Sequence, residues 1–223
     1  MINAAIRQMQ TALGRFISAD APPTDERPTL FRDSPRMKCP SCGASLSAPA
    51  DRCSECKLSL KRLDMKFGMV PRHSRYLSDR SGQLALAEME SLREALRLFE
   101  RKFPQILFSV LVTELPAGSS VSEYAFWMAN RARFSSVEKT QGDNFDLLLV
   151  LDLASQTAAL TTGYGLEPHV SEEDLQAGLL ALAGPVKNGD LAGGIQACLQ
   201  TMTTKLRECS AAARKRELAA AET

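Results

Sequence analysis

Apolar side chains recur along the 223-residue chain with two different periods, and the changes of period divide it into segments. Ile2, Ile6, Met9, Leu13 and Phe16 return every three or four positions with Arg7 and Arg15 between them, which predicts an amphipathic helix over residues 1–18. Residues 19–38 are rich in Pro, Asp and Arg and carry no apolar period, so they read as a linker. Residues 39–66 hold clustered cysteines and few large apolar side chains, too few for a hydrophobic core of their own.

From Tyr76 the periodicity strengthens. Leu84, Met89, Leu92, Leu96, Phe99 and Phe103 line one face of a helix predicted over Ser81 to Phe103, and Pro104 ends it. Gln105 to Leu115 is a β-rich run closed by Pro116-Ala117-Gly118, and a helix is predicted over Ser122 to Phe134. Phe145 to Leu153 is almost wholly apolar, which suits a strand buried on both faces. A turn at Ala154 to Thr157 and a strand over Ala158 to Thr162 make a hairpin with it. Two helices are predicted next, Ser171 to Ala183 and Leu191 to Leu206, divided by Gly184-Pro185 and Asn188-Gly189-Asp190. Residues 207–223 form helix-prone exposed tail without an apolar stripe. Strands alternating with helices predict an α/β sandwich with helices on both faces of one sheet, and the hairpin makes that sheet mixed.

Composition changes this picture little. A hydrophobic share of 44% and a charged share of 24% are those of a globular protein with a real core. A formal charge of +1 supplies no global field to recruit nucleic acid or an anionic membrane. No window reaches the roughly 18 apolar residues of a membrane-spanning helix. The amphipathic start lacks the unbroken apolar block of a secretory signal, although an organellar presequence shares its character.

The cysteines change the picture more. Cys39, Cys42, Cys53 and Cys56 are spaced C-x2-C-x10-C-x2-C, the pattern of a zinc ribbon over residues 39–66. Gly43 fits the tight turn after the first pair. Four sulfur ligands leave no open position for an activated water, so such a site is structural. Reduced thiolates imply a reducing compartment, hence cytoplasm. Cys198 and Cys209 read as small buried or half-buried side chains. Basic residues around the ribbon, among them Arg52, Lys57, Lys61, Arg62 and Lys66, outnumber Asp51, Glu55 and Asp64. No aromatic residues interleave them, so a protein partner fits better than nucleic acid.

Five stretches carry a family resemblance: LSDRSGQLA (77–85), SVSEYAFWMANR (120–131), GDNFDLLLVLDL (142–153), TTGYGLE (161–167) and NGDLAGGI (188–195). In order and spacing they resemble the TPM-domain family, which includes the thylakoid acid phosphatase involved in photosystem II repair, over residues 76–206. The resemblance implies a Rossmann-like α/β/α sandwich, with phosphatase activity or calcium binding attributed to some members. Carried over by position, it implies Asp79, Asp143, Asn144 and Glu167 as oxygen ligands for calcium or magnesium, with Asp190 as a further candidate. A cation so held could polarise a phosphoryl oxygen. The chain departs from the pattern at Phe145-Asp146, where a small Gly is usual, and at Ala159 and Thr161, where charges are common.

Each acid also has a local reading. Asp79 suits a helix cap, Asp143 and Asn144 are turn formers, and Asp190 suits a helix N-cap. In TTGYGLE, glycines on either side of Tyr164 would let the backbone turn sharply and bring Glu167 to the polar edge of the sheet. Only His73 and His169 are present, and no Ser-His-Asp or Cys-His set suggests itself. Two functions follow: a cytosolic interaction or regulatory module built from a zinc ribbon and a TPM-like domain, or a divalent-metal-dependent phosphatase with its site at the sheet edge.

Overall fold

The computed structural model describes residues 37–46, 51–132, 134, 145–163, 165–167 and 169–221. The helix expected over residues 1–18 and most of the linker lie outside these, as do Asp143, Asn144 and Tyr164.

Two small hairpins come first. β1 (Met37–Lys38) pairs antiparallel with β2 (Ser45–Leu46), and a single bridge joins Arg52 to Ser59. Ser59 then caps α1 (Leu60–Phe67), its Oγ accepting from the Arg62 N–H. Leu60, Leu63 and Phe67, spaced by three and four, form the inner face of this helix.

The remaining elements are β3 (Leu77–Asp79), α2 (Leu86–Lys102), β4 (Leu107–Thr113), α3 (Val121–Arg131), β5 (Asp146–Asp152), β6 (Thr157–Thr162), α4 (Glu172–Lys187) and α5 (Leu191–Ala221). Their strands make one mixed sheet in the order β3-β4-β5-β6. β3, β4 and β5 run parallel, and β6 returns antiparallel to β5 as the sequence predicts.

Side-chain alternation assigns each strand residue to a face. Phe108, Val110 and Val112 of β4, with Leu147, Leu149 and Leu151 of β5, meet α2, α4 and α5. Leu107, Leu111, Leu148 and Val150 point the other way, against Tyr124, Trp127 and Met128 of α3 and Leu63 of α1. The steps β3 to β4 and β4 to β5 go in the same direction across the sheet. Their helices α2 and α3 nevertheless lie on opposite faces, so the two crossovers have opposite hands and one of them is left-handed, a rare arrangement.

Three boundaries differ by four residues or more from those predicted. α2 begins at Leu86 rather than Ser81, because Asp79 ties down residues 81–84 as a loop and Glu88 accepts from the Ala85 N–H (2.7 Å) to start the helix. α4 passes through Gly184-Pro185 and ends at Lys187. Pro185 sits in the last turn, where its missing N–H removes a single helical bond, and the Asn188 and Gly189 N–H groups fold back onto the Pro185 and Val186 carbonyls. α5 continues to Ala221 instead of stopping at Leu206: no Gly or Pro follows Gly194, and Ala, Arg, Lys and Glu favour helix.

Candidate metal centre and the acidic residues

Each C-x2-C pair is folded by the same local bonds. Cys39 N–H donates to the Ala44 carbonyl (2.9 Å) and Gly43 N–H to the Cys39 carbonyl (2.9 Å). One pair further on, Cys53 N–H donates to Leu58 (2.8 Å) and Lys57 N–H to Cys53 (3.1 Å). The fifth residue of each turn is left-handed, Gly43 at φ 73° and Lys57 at φ 61°. Gly43 adopts this freely, whereas Lys57 is held there against its side chain's preference.

These two knuckles bring the four sulfurs within 4.8 Å of one another, the one such group among the described residues. Cys39 and Cys56 Sγ are 3.5 Å apart, Cys42 and Cys53 Sγ 3.6 Å. Tetrahedral thiolates at a zinc–sulfur distance of about 2.3 Å stand about 3.8 Å apart, so the set fits a metal ion with little adjustment. Burial pushes the Cys39 thiol up to about 12, and the Cys56 backbone N–H draws the Cys53 thiol down to about 7.

The cysteine module is packed onto the α/β domain. Cys39 and Cys53, 1% and 2% exposed, belong to the same apolar cluster as Leu58, Leu63 and the inner face of α3. The Phe67 ring lies 5.0 Å from Tyr124, edge to face, and 5.3 Å from Trp127. Asp64 accepts from Trp127 Nε1 (3.0 Å) and grips the Arg131 fork through Nε (2.9 Å) and Nη2 (2.7 Å). Lys66 pairs with Glu123 (2.7 Å), and Lys38 pairs with Glu172 of α4. Burial of Leu58 and Leu63 contributes about 1.5–3 kcal/mol each. Exposed ion pairs contribute about 0–1 kcal/mol, so apolar contact drives this docking while the polar pairs set its register.

A cleft of about 450 Å³ opens between module, α1 and α3, lined by Ser41, Cys56, Arg62, Met65, Lys66 and Glu123. Neither Asp79 nor Glu167 borders it. The basic excess around the ribbon reads in the sequence as a surface for a protein partner, yet Asp64 and Lys66 are joined to α3 of the same chain; the spacing of Leu60, Leu63 and Phe67 is the signal for that contact.

Of the acidic candidates, Asp143 and Asn144 lie outside the described residues, and Asp79 and Glu167 stand apart. Asp79 ends β3, level with Val112 of β4 and Leu151 of β5. Glu167 follows β6, whose end is tied to the other edge by the Gly163 N–H donating to the Asp146 carbonyl (2.7 Å). Five residues of β5 separate these levels, about 17 Å at the rise of a strand. The turn closed by Leu166 N–H on the Gly163 carbonyl (3.0 Å) keeps Glu167 at that far edge. Asp79 and Glu167 therefore do not share one ion.

Asp79 is also fully engaged. Its Oδ1 accepts from Ser81 N–H (2.9 Å), Ser81 Oγ (2.7 Å) and Gly82 N–H (3.0 Å), and Oδ2 from Leu84 N–H (2.8 Å). Burial would raise its carboxyl, but these donors, Leu84 foremost, hold it below the usual range. Glu167 is its opposite: half-buried, without a hydrogen-bond or ion-pair partner among the described residues, and raised by burial. Asp190 takes its N-cap place, accepting from Gly193 N–H (2.7 Å).

Gly165 is not left-handed. Gly165 is small for want of room, since a Cβ there would meet the Phe145 ring at 2.9 Å. Phe145, where the resemblance expects glycine, thus covers the turn that carries Glu167. Cys198 is buried between α4 and α5, and Cys209 Sγ donates to the His169 carbonyl (2.8 Å).

A three-layer α/β/α sandwich around a four-stranded mixed sheet, faced on one side by a four-cysteine module, defines the class of this protein. The chain belongs to the TPM domain family, whose profile matches residues 77–205. It is similar in fold to the BA42 protein of Bizionia argentinensis, at 15% identity and a TM-score of 0.50, over 59% of this chain and 86% of that one. The N-terminal domain of a P. gingivalis protein matches at 22% identity and a TM-score of 0.46, over 59% and 82%. Comparison with curated proteins finds no significant match. Among the described residues no helix is long and apolar enough to cross a membrane.

Proposed function

We propose that the chain is a cytosolic interaction or regulatory module that turns over no substrate, in which Cys39, Cys42, Cys53 and Cys56 hold one structural zinc ion and another protein is the partner. The convergence of four thiols on two matching knuckles carries this reading. Four sulfurs satisfy a tetrahedral ion completely and leave nothing for catalysis. The saturation of Asp79 by its own loop supports a domain without a divalent-metal active site.

Elemental analysis of reduced protein is expected to find about one zinc per chain, lost in Cys39→Ser. Reduced protein without zinc would refute the assignment.

The second reading, a phosphatase dependent on calcium or magnesium, is favoured by Glu167, a half-buried carboxylate with no partner among the described residues. Its assay is phosphate release from an aryl phosphate with calcium, magnesium or manganese, comparing wild type with Asp143→Ala. We expect no metal-dependent release and no rise in melting temperature with added calcium or magnesium. Activity abolished by Asp143→Ala would replace the module reading with the enzyme.

A further inference from the structure

We propose that the cysteine module is a metal-controlled latch over α3, so that metal occupancy of the four thiols and docking of α1 on α3 are a single linked equilibrium. This rests on the zinc assignment above. The module has no core of its own. Its buried apolar side chains, Leu58 and Leu63, lie in one cluster with Trp127 and Met128, and the buried thiols Cys39 and Cys53 belong to that same cluster. Local order in the module comes from two hairpins, each closed by a few backbone bonds. Short hairpins of this kind are marginal in water without a cross-link. A metal on the thiols therefore holds the module in the shape that presents Leu63, Asp64 and Phe67 to α3, and its loss releases α1.

Release uncovers a defined surface. α3 is the only α/β-domain helix on its face of the sheet among the described residues, and the module covers Tyr124 and Trp127 there. Asp64 is the clasp that can be removed without touching a thiol, since its partners are Trp127 and Arg131. Linkage is reciprocal: if metal favours docking, docking favours metal to the same extent. Weakening the Asp64 clasp must then weaken metal binding, although Asp64 is no ligand.

Trp127 is the chain's single tryptophan and sits in this contact, so its fluorescence reports the latch directly. The experiment uses the full chain loaded with zinc and then stripped with a chelator, following zinc release, Trp127 emission and amide exchange together. Expected on stripping are a red-shifted Trp127 emission and loss of amide protection in residues 60–67 and on the outer turns of α3, with β5 still protected. Expected for Asp64→Ala is about a tenfold loss of zinc affinity, inside the usual range of coupling between sites. Zinc removed with Trp127 emission and α1 exchange unchanged would overturn the latch while leaving the zinc site intact. Loss of protection in β5 together with α1 would overturn it too, by showing global unfolding. Unaltered zinc affinity in Asp64→Ala would overturn the linkage, and a chain that takes up no zinc would overturn both readings.

Discussion

Asp64 and Trp127 stand 63 residues apart in the chain and are joined by a 3.0 Å hydrogen bond from the indole N–H to the carboxylate. With the Arg131 fork on the same carboxylate, this contact joins the N-terminal module to the α/β sandwich. The Arg131 hydrogen bonds and then the Trp127 N–H hold the Asp64 carboxyl below its usual range. A carboxyl depressed in the folded state stabilises fully above its unfolded value of about 3.9 and loses that contribution as pH falls through the lower folded value. The melting temperature of wild type should exceed that of Asp64→Asn by a constant margin above about pH 5. Thermal scans between pH 2 and 7 should show the margin closing below about pH 4, and a margin that grows on acidification would contradict the contact.

Asp79→Asn keeps the shape of the side chain but replaces one acceptor oxygen by a donor, which then faces the N–H of Leu84 or of Ser81 and Gly82. A donor left against a donor costs about 1–3 kcal/mol. Urea unfolding should report this loss, with the zinc content of the folded protein unchanged.

Two glycines that both lack space should respond differently to alanine. At Gly194 a Cβ would stand 2.8 Å from the Leu182 carbonyl oxygen and 2.5 Å from Val186 Cγ2, so α4 and α5 must separate. Overpacking of this kind costs about 1–3 kcal/mol. At Gly165 the obstacle is the outer edge of the Phe145 ring, which can swing aside for about 0.5–1.5 kcal/mol. Chemical denaturation of the two variants in parallel should rank them in that order.

Burial raises the Glu167 carboxyl, so its charged form is disfavoured in the folded state. The penalty is present above the raised folded value and fades as pH falls to the unfolded value of about 4.3. Glu167→Gln should therefore melt higher than wild type at pH 7 and equal to it near pH 4. The opposite order at pH 7 in the presence of calcium or magnesium would mean that Glu167 binds a cation.

Much of this architecture was legible because it is local. The strands over Leu107–Thr113 and Asp146–Asp152 announce themselves as largely apolar runs, and the cysteine pairs by their spacing. The start of α2 was not legible, since it depends on which N–H groups Asp79 captures. Of the four residues Asp79, Asp143, Asn144 and Glu167, strand direction separates Asp79 from Glu167, while Asp143 and Asn144 lie outside the described residues. β3 and β5 are parallel and β6 returns, so the residues ending β3 and following β6 must lie at opposite edges. The docking of α1 was hidden for another reason: it joins Asp64 to Trp127 and Arg131, and no periodicity links positions so distant.

That distance also sets an order of events during synthesis. At roughly 5–20 residues per second, α3 follows α1 from the ribosome by roughly 3 to 13 seconds. Over that interval Leu58 and Leu63 have no partner surface, and the only order available to the module comes from contacts within it, hairpins that each close over five residues. A nascent chain that acquires metal early would therefore carry a preformed clasp to an α3 not yet made, whereas one starved of metal would offer a greasy, unstructured leader to the chaperones instead.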